Sequence, residues 1–384
     1  MIFMDNAAGS LPKAPGVGRA MLDFINKGSG NIARGGYDLA YSAAKQVLEV
    51  RIALADFLGV DDPRRMVFTP GTTWSLNMAI LGLVRPGEKV VATSMEHNAA
   101  ARPLKSLEKQ GVSVAYAPCD KEGCTDIAAL DRLLTPEVRC LVMTMASNVC
   151  GSLQPVKEAG RLCRKRGIFF IVDAAQTAGM VPIDMGKSGI DALAFSGHKA
   201  LMGPQGIGGL ALSEAIGKEL SPLITGGTGS RSDSLHMPGF FPDKLEPGTL
   251  NLPGIMGLGV AVDFVRQNFD EIQARHRRQC KLMAELLGDI PGARLIGPKG
   301  GRGRAAIFSL DFEGQDNGRA AYILEKEYGI LTRCGLHCAP LAHEALGTAP
   351  QGTVRFSPGF FTTFEEIEKT AQAVRAVAGR VGHE

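Results

Sequence analysis

Polar residues that could do chemistry follow apolar, strand-like runs at several points of the chain. At Gly71, Thr72 and Thr73, such a run passes into a helix predicted to begin near Ser75. Backbone N–H groups, two hydroxyls and the helix dipole would together favour a phosphate at this turn. Taken alone, a threonine there is more simply explained as a helix N-cap.

A carboxylate stands directly after the most apolar of these runs. Asp173 follows residues 168–172. It would either cap a helix or keep the nitrogen of a pyridine ring protonated, so that the ring can accept electrons. Because a buried carboxylate needs a cationic partner, a pyridinium ring would satisfy Asp173 chemically.

A lysine ends the segment Ser196-Gly197-His198-Lys199, which follows the apolar run 192–195. An amine that attacks an aldehyde needs a lowered pKa, and burial beside a cationic ring would lower it. As a single residue, Lys199 is better explained by an exposed position on the surface. Whether Lys199 is a reactive buried amine or an exposed surface residue therefore depends on the other motifs around it.

The elements that would position these residues alternate between strand-like and helix-like patterns. We predict strands at 66–68, 89–92, 112–116, 140–144, 168–172 and 192–195, with helices at 75–83, 99–110 and 156–166 among them. Several strands are continuously apolar, which indicates a sheet buried on both faces. Alternation of this kind predicts an α/β fold with a mostly parallel, doubly wound sheet.

The alternation stops at a stretch rich in glycine and proline, residues 225–257. One long helix is predicted after it, at 257–287, followed by a strand at 305–312 and helices at 318–328 and 365–377. A chain of 384 residues is longer than a single core usually supports. We predict a large domain of residues 13–257 and a smaller α/β domain formed by 1–12 and 258–384.

Composition excludes several classes of protein. The net charge is +3 and no basic run is present, so nucleic acid is not expected as a partner. The N-terminal residues lack a secretory pattern, and no apolar stretch is long enough for a membrane span, so a cytoplasmic location is expected. The eight cysteines include no CxxC pair, so neither a disulfide framework nor a metal site is expected.

Taken together, the motifs resemble those of the class V aminotransferase family of fold-type I pyridoxal 5′-phosphate (PLP) enzymes. The resemblance runs from Asp5 to Ser357 and depends on the order of several motifs. These are Gly71-Thr72-Thr73, Glu96-His97-Asn98, Ser147-Asn148, Asp173-Ala174-Ala175-Gln176 and Ser196-Gly197-His198-Lys199. Fold-type I implies a large domain with a seven-stranded sheet and a smaller C-terminal domain.

The resemblance also implies a role for each residue in binding PLP. Lys199 would bond covalently to the cofactor, Asp173 would pair with the ring nitrogen, His97 would stack on the ring, and Gln176 would reach the phenolic oxygen. The residues expected to hold the phosphate are Gly71, Thr72, Thr73, Ser196 and His198.

For the substrate and the quaternary structure, the resemblance implies three further residues. Asn148 would orient the cofactor or an amino-acid substrate, and Arg355 would bind the α-carboxylate of that substrate, a task suited to a guanidinium. Thr249 matches a family threonine that contacts the phosphate bound in the other subunit. The resemblance therefore implies a homodimer with shared active sites.

The segment around Cys338 distinguishes between activities within the family. Residues 331–341 resemble the Arg-x-Gly-x-His-Cys stretch of group II cysteine desulfurases and selenocysteine lyases, with Cys338 as the nucleophile. A thiolate beside His337 in a Gly- and Pro-flanked loop would be reactive. The resemblance implies conversion of L-cysteine to L-alanine, with sulfur passing to Cys338 as a persulfide and then to an acceptor protein.

Several alternatives remain open at this stage. The same residues would serve a selenocysteine lyase, and an aminotransferase or epimerase for another amino acid would leave Cys338 incidental. A PLP-binding protein with little turnover is a further possibility. Cys334 would either resolve the persulfide or be a packed bystander. Departures from the family pattern at Trp74 and in the segments 6–9 and 34–37 affect the identity of the substrate more than the use of PLP.

Overall fold

Residues 1–27, 32 and 35–380 are described by a computed structural model of the chain. Arg34, which belongs to one of the segments that depart from the family pattern, lies outside the described residues. No helix in these ranges is both long enough and apolar enough to cross a membrane.

The secondary structure alternates as the sequence predicts. The strands are β1 (Ile2–Phe3), β2 (Met66–Thr69), β3 (Lys89–Thr93), β4 (Ser113–Ala117), β5 (Val138–Thr144), β6 (Phe169–Asp173), β7 (Ala192–Ser196), β8 (Gly208–Leu212), β9 (Ala293–Ile296), β10 (Phe308–Phe312), β11 (Ile330–Leu331), β12 (Arg333–Gly335) and β13 (Thr353–Phe356). The helices are α1 (Val17–Asn26), α2 (Asp38–Leu58), α3 (Thr72–Leu83), α4 (Asn98–Glu108), α5 (Ile127–Leu133), α6 (Val156–Arg166), α7 (Met185–Ser188), α8 (Glu214–Glu219), α9 (Leu252–Gln267), α10 (Phe269–Leu287), α11 (Asn317–Tyr328), α12 (Pro340–Ala345) and α13 (Phe364–Ala378).

The large sheet contains seven strands within the described residues, in the order β2-β8-β7-β6-β5-β3-β4. Strands β3 to β7 pair in parallel, whereas β8 runs antiparallel to both of its neighbours, β2 and β7. Sequence patterning missed β8 because it begins with two glycines. A side chain at Gly209 would collide with the ring of Phe195, so the close approach of β7 requires glycine there.

The carboxyl ends of the parallel strands lie along one edge of the large sheet. Thr69, Thr93, Thr144, Asp173 and Ser196 are the last residues of β2, β3, β5, β6 and β7. In sheets of this type, ligands bind at the edge where parallel strands end. Buried apolar residues cover both faces of the sheet, so this edge is the place left for polar chemistry.

A second, antiparallel sheet has the order β12-β13-β10-β9, and β1 pairs in parallel with β11. Its core is formed with α10, α11 and α13 by residues such as Met283, Phe308, Leu324, Phe356 and Val374. The N-terminal strand β1 thus lies against β11, which directly precedes β12 of the smaller sheet. Arg333 and Arg355 are neighbours across β12 and β13.

The single long helix predicted at 257–287 is wrong, because two helices, α9 and α10, occupy this region. Asn268 separates them: its Nδ2 donates to the carbonyl of Phe264 at 2.7 Å and so competes with continuation of the helix. Helix α9 packs into the core of the large sheet through Val262 and Val265. The domain division stays a prediction, and this packing favours a boundary at Asn268 rather than at 257.

Candidate active site

The turn before α3 closes one end of the site. Gly71 adopts a φ of 151°, a region that favours glycine, and directs the chain into α3. The backbone N–H of Thr72 donates to the Ser196 hydroxyl at 3.1 Å, and the two hydroxyls are 2.7 Å apart. Since the first amides of a helix have no acceptor within it, this end of the site attracts an anion.

Asp173 is the last residue of β6, the middle strand of the large sheet. Its side chain is 4 % exposed, and its Oδ1 accepts from the N–H of Ala175 at 2.8 Å. Burial raises the pKa of Asp173, while the Ala175 amide and the positive charge of Lys199 oppose this shift. A buried carboxylate of this kind stabilises a cationic group brought next to it.

Lys199 projects into the same cavity from the turn after β7. Burial lowers the pKa of its amine to about 8, and the negative charge of Asp173 partly opposes this shift. Arg355 and Arg333 add to the lowering. An amine with this pKa is partly neutral near neutral pH, and the neutral form is the one that acts as a nucleophile or a general base.

Two histidines flank the cavity in the neutral form. His97 caps α4, its Nδ1 accepting from the N–H of Ala99 at 3.0 Å. Burial, together with the positive charges of Lys199 and the nearby arginines, lowers the pKa of His97 to about 4. Burial also lowers the pKa of His198 to about 4, and its Nδ1 is buried without a partner among the described residues.

Gln176 and Asn148 are partly engaged by the protein itself. The Nε2 of Gln176 donates to the carbonyl of Ala7 at 3.2 Å, and the Nδ2 of Asn148 donates to the carbonyl of His337 at 2.7 Å. Both residues line the cavity that contains Lys199. They therefore tie the N-terminal segment and the Cys338 segment to the rim of the site.

Arg355 is buried, with 1 % of its surface exposed, and forms an ion pair with Asp5 at 2.7 Å. Its Nη1 donates to the carbonyl of Asn148 at 3.1 Å, and its Nε is buried without a partner among the described residues. Burial lowers the pKa of Arg355 while Asp5 opposes the shift. Sequence reasoning did not assign Asp5, although it begins the N-terminal Asp-Asn-Ala-Ala motif.

The segment Leu336–Ala339, here called the nucleophile loop, has an unusual backbone. His337 and Cys338 adopt φ values of 47° and 59°, which non-glycine residues reach only at some cost. The loop is held by the hydrogen bond from Asn148 and by the N–H of Asn98, which donates to the Cys338 carbonyl at 2.8 Å. The buried imidazole of His337 lies 3.0 Å from the Thr353 hydroxyl.

This loop presents the thiol of Cys338 to solvent. The Nη2 of Arg333 donates to the Cys338 sulfur at 3.4 Å, so a positively charged group lies beside this thiol. Cys338 lines a groove together with His97 and Thr73, which also line the cavity that contains Lys199. The sequence placed Arg333 in the Cys338 motif but gave it no role.

Cys334 lies on the other side of β12 from this site. Successive side chains of a strand point to opposite faces, and Cys334 pairs with Val354, whose side chain is in the core of the smaller sheet. Burial and then the charge of Asp316 raise the pKa of the Cys334 thiol. Its position on the face away from Cys338 argues against a resolving thiol, but Cys334 is exposed, so it is not the packed bystander of the alternative interpretation.

The cavity that contains Lys199 and Asp173 has a volume of about 330 Å³ and brings together most of the predicted cofactor residues. They are Gly71, Thr72, Thr73, His97, Asn148, Asp173, Gln176, Ser196, His198 and Lys199. Thr249 does not line it; it is exposed and lines two adjacent cavities. Trp74, 42 % exposed, lies between the cavity that contains Lys199 and one that contains Thr249.

Comparison with known proteins now identifies the family. The sequence model of Aminotransferase class-V matches residues 2–370. The chain belongs to this family. A probable cysteine desulfurase of Methanothermobacter thermautotrophicus is 33 % identical over 384 residues, which cover 98 % of this chain and 95 % of that protein.

Solved structures of class V aminotransferase relatives have the same architecture. The apo structure of the cysteine desulfurase from Thermococcus onnurineus NA1 is 30 % identical and superposes with a TM-score of 0.92, covering 98 % of this chain and 94 % of that one. A cysteine desulfurase from Escherichia coli is 29 % identical, with a TM-score of 0.87 over 99 % and 95 % of the two chains. The fold-type I prediction is therefore confirmed.

Members of the class V family are PLP-dependent enzymes, and the residues of this site fit the cofactor. The amides of α3, the paired hydroxyls of Thr72 and Ser196 and the unpartnered Nδ1 of His198 suit a phosphate. Asp173 is the only carboxylate among the described residues that line the cavity, and it lies near the amine of Lys199. Asp173 is therefore a suitable partner for the pyridine nitrogen of PLP, and Lys199 for its aldehyde.

Proposed function

We propose that this enzyme is a PLP-dependent cysteine desulfurase, which converts L-cysteine to L-alanine and transfers the sulfur to Cys338 as a persulfide. The observation that carries the proposal is the nucleophile loop. It presents an exposed thiol, in contact with Arg333, to a groove whose wall continues into the cavity of Lys199. The activities named for the relatives support the same conclusion.

Each residue of the cavity has a task in this proposal. When bound, PLP supplies an aromatic ring that accepts electrons from the substrate Cα. Asp173 would stabilise the protonated ring nitrogen, and His97 would lie against the ring. Thr72, Ser196 and His198 would hold the phosphate. Lys199, whose pKa of about 8 leaves part of it neutral, removes the proton from Cα and returns protons later.

The substrate is oriented by the buried arginine. Arg355 binds the α-carboxylate of L-cysteine, and Asp5 keeps the guanidinium in place through the 2.7 Å ion pair. Asn148 fixes this arrangement from the neighbouring strand end, because its carbonyl accepts from Arg355 and its side chain holds the nucleophile loop. The carboxylate and the thiol of the substrate are thereby directed to different sides of the site.

Sulfur transfer is the task of Cys338. Its thiolate attacks the sulfur of the substrate, a new S–S bond forms, and the bond between that sulfur and Cβ breaks. Protonation of Cβ completes L-alanine, and one proton remains on the terminal sulfur of the persulfide. Arg333 stabilises the thiolate before the attack.

The test is mass spectrometry of the holoenzyme after incubation with L-cysteine alone. We expect one added sulfur atom on the peptide that contains Cys338 and one L-alanine formed for each sulfur. Cys338→Ser should keep the absorbance of the bound cofactor and lose both products. Cys334→Ser, the matched control on the opposite face of β12, should retain both. Alanine and sulfide production at the original rate by Cys338→Ser would refute the proposal.

The proposed enzyme acts as a homodimer in which Thr249 completes the site of the other subunit. Thr249 is exposed and does not line the cavity of its own Lys199. Large apolar side chains are exposed on α1, α2 and the segment before α9, at Leu22, Ile25, Leu39, Tyr41, Leu48, Ile52, Leu235 and Phe240. Apolar surface of this extent is typical of an oligomer interface. The cytoplasmic location stays a prediction.

A further inference from the structure

A groove leads away from Cys338 along the large domain. It has a volume of about 390 Å³ and runs between α3 and α4, with Asn77 and Leu81 on one side and Arg102 and Ser106 on the other. At its inner end it reaches His97 and Cys338. Pockets of this size hold small ligands, so the groove can take one side chain and the short stretch of backbone that carries it.

The groove carries a positive charge that no acidic residue of its described lining neutralises. Among the described residues, its lining contains Arg102 but no aspartate or glutamate. Arg102 is exposed and forms no salt bridge within the described ranges, whereas Lys105, one turn further along α4, is paired with Glu108 at 2.5 Å. Arg333 adds a second positive charge next to Cys338.

The effect of Arg102 extends to the inner end of the groove. After burial, the charges that lower the pKa of His97 are those of Lys199, Arg333, Arg355 and Arg102. All of them are positive. A thiol that approaches Cys338 along the groove therefore meets an electrostatic potential that favours negative charge.

We propose that this groove binds a cysteine-containing segment of an acidic acceptor protein, and that Arg102 selects it by pairing with a carboxylate beside the acceptor thiol. The proposal rests on the proposed desulfurase function, because the sulfur that is transferred is the persulfide of Cys338. A positively charged residue at the groove both attracts an acidic partner and stabilises its thiolate.

The transfer is a thiol exchange that needs no additional oxidant or reductant. The acceptor thiolate attacks the terminal sulfur of the Cys338 persulfide and forms a new S–S bond. The bond between that sulfur and Cys338 breaks, and its electron pair remains on the Cys338 sulfur, next to Arg333. The proton on the transferred sulfur stays with it, so the acceptor leaves as a persulfide and Cys338 is a thiolate again.

The test uses holoenzyme that has been loaded with sulfur by L-cysteine and freed of excess substrate. Three capped peptides serve as acceptors, each with a central cysteine flanked by two aspartates, two serines or two lysines. The rate of sulfur transfer is measured for each and expressed per thiolate. We expect the acidic peptide to react about fivefold faster than the neutral one, and this preference to shrink as salt is added.

Variants of Arg102 then locate the source of the preference. Arg102→Gln should abolish the preference, Arg102→Lys should retain most of it, and Arg102→Glu should reverse it in favour of the lysine peptide. Lys105→Gln is the matched control, because Lys105 lies on the same helix and is already paired with Glu108. The preference is a ratio within one loaded sample, so the extent of loading does not affect it.

Equal rates for the three peptides, or an Arg102→Gln variant that keeps the preference, would overturn the proposal. A small anionic thiol, 3-mercaptopropionate, that reacts faster than the acidic peptide would overturn the choice of a protein segment. Failure of the proposed function has a different signature, since unaltered enzyme would then acquire no sulfur on Cys338 at all.

Discussion

Glu96 is a residue whose chemistry only the folded chain makes visible. It is fully buried, and its Oε1 accepts from the Thr93 hydroxyl at 2.5 Å and from the N–H of Thr144 at 2.9 Å. Its Oε2 has no partner among the described residues. Burial raises the pKa of Glu96 to about 8, although the hydrogen bonds from Thr93 and Thr144 oppose the shift; the charge of Asp173 makes a smaller contribution to it. Glu96 is therefore mostly protonated at neutral pH.

This shift predicts how stability depends on pH. The folded state holds the proton of Glu96 up to about pH 8, whereas the unfolded chain releases it near the ordinary value of 4.5. The unfolded state thus binds fewer protons between these values, so the free energy of unfolding falls as pH rises through this window. Glu96→Gln cannot ionise, and we expect its melting temperature relative to the unaltered protein to rise between about pH 5 and pH 8.

Thermal unfolding of the holoenzyme at several pH values measures this difference. Glu313→Gln is the control, because Glu313 is exposed and should show no trend. A Glu96→Gln variant whose relative melting temperature stays constant or falls with pH would show that Glu96 is ionised in the fold.

At the scale of elements, strand β13 helps to hold the nucleophile loop in place. Thr353 begins β13, and its hydroxyl lies 3.0 Å from the Nε2 of the buried His337. Burial lowers the pKa of His337 to about 2, so the imidazole is neutral and needs this hydrogen bond partner. The contact helps to hold His337 and Cys338 in their left-handed backbone conformation.

Thr353→Val should therefore loosen the loop without emptying the cofactor site, which is built on the large sheet. We expect a loss of about 1–3 kcal/mol in the free energy of unfolding, because a buried imidazole nitrogen loses its partner. Persulfide formation on Cys338 should slow by about tenfold. Chemical denaturation, rapid-quench mass spectrometry and cofactor absorbance measure the three quantities.

Thr370→Val separates the effect on the loop from general destabilisation. Thr370 is buried in α13, donates to the carbonyl of Glu366 and does not contact the nucleophile loop. It should reduce stability but leave the rate of persulfide formation unchanged. If Thr353→Val forms the persulfide as fast as the unaltered enzyme, the loop is held by its other contacts alone.

At the scale of the whole molecule, the position of Thr249 predicts complementation between subunits. In the proposed homodimer, Thr249→Asp would place a carboxylate beside the phosphate of the neighbouring subunit and prevent cofactor binding by repulsion. Lys199→Ala removes the covalent anchor in its own subunit. In a mixed dimer of the two variants, one site combines the intact Lys199 of one subunit with the intact Thr249 of the other.

We therefore expect the mixed dimer to regain cofactor absorbance and up to half of the activity, although each variant alone has little. Sedimentation measures the oligomeric state, and tagged subunits allow the mixed dimer to be purified. As the control, each variant is dissociated and reassembled alone, so that both subunits of every dimer carry the same substitution. No recovery in the mixed dimer would mean that Thr249 does not act on the other subunit's cofactor.

Residue types and chain order determined much of this protein before its fold was known. Continuous apolar runs predicted the strands of the large sheet, because burial on both faces leaves no polar alternation. Gly71, Asp173 and Lys199 followed those runs, and parallel strands end at one edge, so their meeting was predictable. The role of Lys199 was predictable only together with Gly71 and Asp173, since a single lysine is ordinarily exposed.

Only the tertiary structure decided which residues meet across long separations. Asp5 reaches Arg355, and Arg333 reaches Cys338 while its neighbour Cys334 faces the other way. The division at Asn268 and the antiparallel strand β8 also escaped the sequence, because one capping residue and two glycines carry little periodic signal. Local patterns report which face of an element is buried, whereas partners of buried charges are set by how distant elements pack.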